Sequence, residues 1–190
     1  MILTETSTID DATLPVDALS AQLRLGTGFA EDGLQDSVLT SYLRAAIGSV
    51  EAQTGIILLS RDFTWDVTEF REDMQITLPL RPVSKISTFG VFEASGAETI
   101  IDIDGFSLRS DINGTILMGD PPAIPKGGHA EIEVLAGFAD WTSLPSDLSH
   151  AVLLLAAWFY ENRTGTGGMP TAVRALLAPY RPRRLGGAVT

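Results

Sequence analysis

The residues of this chain most suited to chemistry at neutral pH are its two histidines, His129 and His150. Imidazole titrates near neutrality and is the commonest metal ligand, but a metal needs a second ligand at a workable spacing, as in HExxH. Neither histidine has one in sequence, and His150 reads as a polar residue at the margin of an apolar helix. Asp102-Ile103-Asp104-Gly105 resembles the opening of a calcium loop. That loop needs an oxygen ligand two residues on and a glutamate at position twelve; Phe106 and Asn113 stand there, so the segment reads as a strand end with a turn. The glycine-rich stretches GTGF (26–29) and GTGG (165–168) neither follow a strand nor open a helix in a phosphate-binding pattern. No GxSxG elbow marks a nucleophilic serine. Cysteine is absent, which excludes thiolate catalysis, zinc–thiolate sites and disulfides. Carboxylates distant in sequence can still meet for acid–base work, but nothing points to a pair. The reading assigns no catalytic residue, no cofactor and no metal.

What remains is charge. Residues 1–162 hold 8 Lys/Arg and all 24 Asp/Glu, a net of −16, whereas residues 163–190 hold five arginines and no acid, a net of +5. The body should repel nucleic acid, whose affinity rests on cationic contacts to phosphate. The basic end has three readings: a solvated appendage, a segment that docks in an acidic protein groove, or a phosphate binder with Tyr180 as a stacking group. Pro179 and Pro182 stiffen it, which lowers the entropy lost on docking. The N-terminus lacks the basic start and apolar run of a signal peptide. The longest apolar run, 151–160, is half the length of about twenty residues needed to span a bilayer. The expectation is a protein of a reducing compartment with no membrane partner.

These residues must be positioned by a 190-residue chain that is 45% hydrophobic, enough for one sizeable core or a core with a satellite lobe. Leu39, Leu43, Ile47 and Val50 fall on one stripe, with Leu34 and Ala46 beside it, and predict a helix over 34–54 closed by Gly55. A short helix over 15–25 starts at Pro15. From 56 to 138 the period changes to two: Phe63, Trp65 and Val67 alternate with Asp62, Thr64 and Asp66, and Ala130, Ile132 and Val134 repeat the pattern. About six short strands are expected there, with Asn113-Gly114 as a hairpin turn. Helix returns over 146–163, with Ser146 as its N-cap. Its apolar residues, including Leu154, Leu155, Trp158 and Phe159, run nearly all the way round, so these four are expected in the core with the 39–50 stripe. A last short helix spans 171–178. The expected fold is α+β: a small helical bundle (14–55 with 140–178), an antiparallel β insert between the second and third helices (56–139), a flexible N-terminal arm (1–13) and a basic C-terminal tail (179–190).

The order of segments resembles a known family. "LPVDALSAQLRL" precedes "LTSYLRAAIGSVEAQTG", followed by "RDFTWDV", "ITLPLRPVSKIST", "LPSDLSHAVLLLAAWFYENR", a glycine-rich gap and "AVRALLAPYRPRRL". Over about residues 14–185 this is similar to the head–tail connector (adaptor) proteins of tailed phages, prophages and gene transfer agents. The resemblance implies a non-enzymatic virion protein, made in the bacterial cytoplasm and placed at the particle neck. It implies a ring, usually twelvefold, beneath the portal protein, joined on the far side to a stopper or tail-terminator protein. Double-stranded DNA would pass through without specific binding. The family segment that reaches toward the portal falls on Tyr180, Arg181, Arg183, Arg184 and Leu185. Two other readings compete: DNA binding through the basic tail, and a small-ligand or hydrolase domain built on the β insert.

Overall fold

The structure is a computed structural model that describes residues 2–25, 34–70, 75–110, 114–162 and 168–181. The chain divides into two compact units, one helical (Asp10–Leu58 with Asp140–Thr190) and one built of strands (Met1–Ile9 with Leu59–Ala139). Among the described residues, seven of the eight strands follow the second helix in chain order and precede the third.

The helical unit contains α1 (Val16–Gln22), α2 (Leu34–Thr54), α3 (Ser146–Glu161) and α4 (Thr171–Leu177). α2 packs on α3, α3 on α4, and α1 on both α2 and α3. The α2 stripe Leu39, Leu43, Ala46, Ile47 and Val50 is fully buried, as its 3.6-residue period requires of a one-sided helix. It meets Leu148, Ala151, Val152, Leu155 and Ala156 of α3, and the same core takes in Leu19, Val173 and Leu177. Gly55 closes α2 at φ +66, with its N–H on the Glu51 carbonyl at 2.8 Å. Three of the residues expected in the core are placed differently. Leu154, Trp158 and Phe159 are only half-buried, because the unit's apolar partners cover the other side of α3. The Trp158 and Phe159 rings lean on each other at 5.6 Å, and Tyr160 meets Tyr42 of α2 edge-on at 5.9 Å.

Among the described residues, two of the four helices are entered by the same device. In DDATLP (10–15) and DWTSLP (140–145), an aspartate, two intervening residues and Thr or Ser lead to Leu-Pro. Asp10 accepts from the Ala12 N–H and Asp140 from the Ser143 N–H, each capping a 3-10 turn. Leu14 and Leu144 are both buried, and Pro15 and Pro145 occupy the N-cap positions of α1 and α3. Asp17 and Asp147 follow in the first helical turns, where negative charge complements the helix dipole. Ser146 is therefore the first residue inside α3 rather than its N-cap. α3 itself has no side-chain cap; Asp140 caps the 3-10 turn that precedes it.

The β unit holds two antiparallel sheets. The larger has the order β1-β2-β8-β4-β5, from β1 (Ile2–Glu5), β2 (Arg61–Val67), β8 (His129–Ala136), β4 (Val83–Phe92) and β5 (Glu98–Ile100). The smaller is β3-β7-β6, from β3 (Gln75–Leu78), β7 (Thr115–Met118) and β6 (Ser107–Ser110). Phe63, Trp65, Val67, Phe89, Ile132 and Val134 are buried within this unit, and Phe89 packs on Phe70 and Phe106 at 6.0 and 5.6 Å. β4 does not alternate strictly, because its register against β8 shifts between Val83 and Lys85 and again between Ile86 and Thr88. Gly137, at φ +114, ends β8 where the chain passes Leu59. A Cβ there would lie 2.6 Å from the Leu59 carbonyl, so only glycine fits. Asp102 caps a 3-10 turn over Ile103–Gly105, so the calcium-like tetrad is a turn. β6 and β7 pair through Ser110↔Thr115; Asn113 of the expected hairpin turn lies outside the described residues.

The N-terminal segment is not an arm. Ile2–Glu5 pairs along β2, from Ile2↔Asp66 to Glu5↔Phe63, and Thr6 N–H continues to the Asp62 carbonyl at 2.9 Å. Without β1, the outer backbone groups of β2 would form an unpaired edge. Glu5 also supplies the counter-charge for Arg61, whose side chain is 7% exposed. Arg61 Nε stands 3.0 Å from Glu5 Oε1, close enough for charge attraction though off the line of a directed hydrogen bond. Arg61 Nη1 donates to the Leu59 carbonyl at 3.2 Å, and its guanidinium lies 5.2 Å from the Phe63 ring centre.

Candidate partner-binding site

Five residues at the C-terminal end carry the sequence-based site: Tyr180, Arg181, Arg183, Arg184 and Leu185. The structure describes the first two; Arg183, Arg184 and Leu185 lie outside the described residues. α4 buries Val173 and Leu177 and runs into a 3-10 turn over Ala178–Tyr180, which Pro179 permits because its missing N–H falls where no helical bond is due. Tyr180 then lies back on the start of α3, its hydroxyl donating to Asp147 Oδ2 at 3.5 Å. Burial, then the Asp147 charge, then that bond hold the phenol above its ordinary pKa of 10.0, since each disfavours a phenolate. Arg181 turns to extended backbone and donates from Nη2 to Gln53 Oε1 at 3.2 Å, near the end of α2. Tyr180 and Arg181 are thus fixed to the helical unit, not part of a free tail. Beyond them the sequence offers two more arginines, no acid and one leucine before Gly186.

A second cluster appears where only strand register could bring it together. On one face of the larger sheet, Asp66 of β2 sits directly opposite Glu131 of β8, with His129 two residues along on the same face. One ligand atom from each of the three lies within 4.8 Å of the others, and His129 Nε2 is 3.9 Å from Asp66 Oδ1. The imidazole is stacked flat on Phe92 at 4.8 Å. An imidazole and two carboxylates are a donor set that a divalent cation could accept with open positions left over. The sequence reading missed the cluster because the residues are 63 to 65 positions apart on strands whose pairing it could not number. The usable signal was shared alternation, Asp62-Thr64-Asp66 and His129-Glu131-Glu133. His150, the other histidine, is exposed on α3.

No protein-family model matches the chain, and no match was found among curated proteins. Solved structures do match. A chain in the neck of an empty gene transfer agent (GTA) particle, computed with C6 symmetry, is 40% identical, with a TM-score of 0.88. A chain in the virion of a native GTA particle is 41% identical with a TM-score of 0.86, and one in the neck of a native GTA particle computed with C12 symmetry is 36% identical with a TM-score of 0.83. Each alignment covers 98% of both chains. An α+β chain of two units, alike from end to end to particle-neck proteins, is a virion structural protein. It belongs to the head–tail connector family, and its relatives place it at the neck of a gene transfer agent or similar phage-like particle.

Proposed function

We propose that the protein is a non-enzymatic adaptor that forms a ring, of twelve copies, beneath the portal. The ring joins the capsid to the tail-side stopper or terminator and surrounds the DNA channel. The observation that carries the reading is full-length similarity to neck chains, one from a particle computed with C12 symmetry. Charge supports it. A body of net −16 lets a duplex slide past without adhering, because contacts to phosphate need cations. On this reading the β unit is an insertion into a helical core shared by the family. The basic end, launched from the clamp at Tyr180 and Arg181, reaches an acidic portal surface, where arginine forks pair with carboxylates. Each pair would contribute from about 0.5 to about 3 kcal/mol depending on burial, repeated around the ring. Leu185 would add a small apolar anchor.

The triple variant Arg181→Glu, Arg183→Glu, Arg184→Glu tests this. One exposed bond, Arg181 to Gln53, is lost from the fold, so the melting temperature of the isolated chain should stay within about 2–4 °C of wild type. Attachment to the portal should be abolished, leaving heads without tails. Normal yields of gene-transferring particles from this variant would show that the basic end is only a solubilising appendage.

A further inference from the structure

A closed ring of identical copies requires two different, mutually fitting patches on each copy, because its contacts are head-to-tail. We infer, on the ring reading above, that these patches are the two free edges of the larger sheet, so that β1 of one copy lies against β5 of the next. Among the described residues four large apolar side chains are exposed, and three of them lie on these two strands: Ile2 at 65%, Leu3 at 38% and Ile100 at 77%. The fourth, Val38, is on α2. Apolar residues scattered singly over a surface carry no message. Their confinement to both edges of one sheet does.

Free edges are normally blunted by lysine, proline or a bulge. β1 (ILTE) and β5 (ETI) contain none of these; the bulges of this sheet are on β4, an interior strand. Each edge carries one glutamate, and that of β1, Glu5, is already paired with Arg61. Every residue of both strands is exposed, and among the described residues each strand pairs on one side only.

Strand direction decides which contact closes a ring. Four antiparallel pairings separate β1 from β5, so the two run the same way. Copies related by rotation about a ring axis would therefore join β5 to β1 in parallel, and the junction repeats without end until the ring closes. Joining β1 to β1 would be antiparallel and twofold, which stops at a dimer. Parallel pairing is slightly weaker per residue, and only three or four residues are available on each side. Such a junction is too small to hold a ring in free solution, and it suits a ring assembled on a template.

The chain contains no cysteine, which makes the contact directly testable. Ile2→Cys and Ile100→Cys are introduced singly and together, and purified particles are treated with a mild oxidant or a short bismaleimide, which tolerates a shift in register. The double variant should give a ladder of covalent multimers on a denaturing gel, and each single variant should stay monomeric. Dimers from either single variant would mean like edges meet, and would overturn the inference. So would an absence of cross-links from the double variant in particles whose necks contain the protein by antibody labelling, an outcome that leaves the adaptor reading standing. Absence of wild-type protein from the neck would overturn the adaptor reading and this inference together. Independently, Ile2→Lys and Ile100→Lys should each leave the melting of the isolated chain nearly unchanged and cause loss of tailed particles. Normal particle yield from both would also overturn the edge contact.

Discussion

Trp158 and Leu155 lie one turn apart on α3 and are both large and apolar, yet Leu155 is 1% exposed and Trp158 is half-buried. Leu155→Ala removes side-chain atoms with neighbours on every side and should cost about 2–5 kcal/mol in denaturant unfolding. Trp158→Ala should cost less in the isolated chain, about 1–2 kcal/mol, despite the larger side chain, because part of its ring is already in water. Equal losses would mean that α3 is enclosed on all sides. The composition of α3 could not separate these cases: with apolar residues nearly all round, no polar stripe marks the outer face. Tyr180 offers a second measurement. Its ionisation, followed by ultraviolet absorbance, should fall above the ordinary tyrosine range, and Asp147→Asn should bring it part of the way back, since burial, the largest cause, remains. Because its folded-state pKa is raised, the phenol's contribution to stability is complete below about pH 10 and fades as pH rises through the folded value. A wild-type Tyr180 that titrates in the ordinary range would contradict the packing on Asp147.

Asp140 belongs to an element that appears twice, and the repeat explains why two helix starts in this chain look unlike standard ones. Its carboxylate is held below the ordinary 3.8, first by the side-chain bond from Thr142, then by those from the Ser143 side chain and backbone. A lowered folded-state pKa means that the contribution is present above about 3.8 and is lost as pH falls through the folded value. Asp140→Asn, which caps without a titrating charge, should therefore melt below wild type at neutral pH and approach it on acidification. A difference independent of pH would sink that account. The same stretch shows the limits of reading by period. The long α2 stripe and the alternation in β2 and β8 are visible because seven or more residues repeat a pattern. β1 has four residues, and its identity as a strand depends on β2 some sixty residues later. The capped turns at 10–15 and 140–145 were written in sequence as a shared spacing of Asp, Thr or Ser, Leu and Pro, but a short motif repeated once across 130 residues has no period to find.

At the level of the whole protein the net charge of −11 governs association in solution. Free copies should repel one another, and screening should weaken that repulsion. Light scattering should show a predominantly monomeric protein at about 10 mM salt, with self-association rising toward about 1 M as the Debye length shortens from about 30 to about 3 Å. A closed ring stable at low salt and micromolar concentration would contradict both this and a template-dependent assembly. The α+β class was legible in the switch of period at residue 56 and back after 138. The first nine residues, expected as an arm, belong to the unit built of strands, which no period in so short a segment announces. Of the candidate site, Tyr180 and Arg181 were singled out by the family resemblance, within the basic C-terminal end. Their attachment to Asp147 and Gln53 was not legible, because it depends on how three helix ends converge.

The strand order has a bearing on how the chain is made. β8 lies in the middle of the larger sheet, between β2 and β4, but it is the last strand of the sheet to leave the ribosome. Until Ala136 emerges, β2 and β4 have no common neighbour, and the two pieces β1-β2 and β4-β5 each expose an inner edge that belongs in the centre. The sheet therefore cannot fold progressively during synthesis. Its completion must wait for that last strand, so both inner edges stay open to wrong pairing until just before the third helix begins to appear.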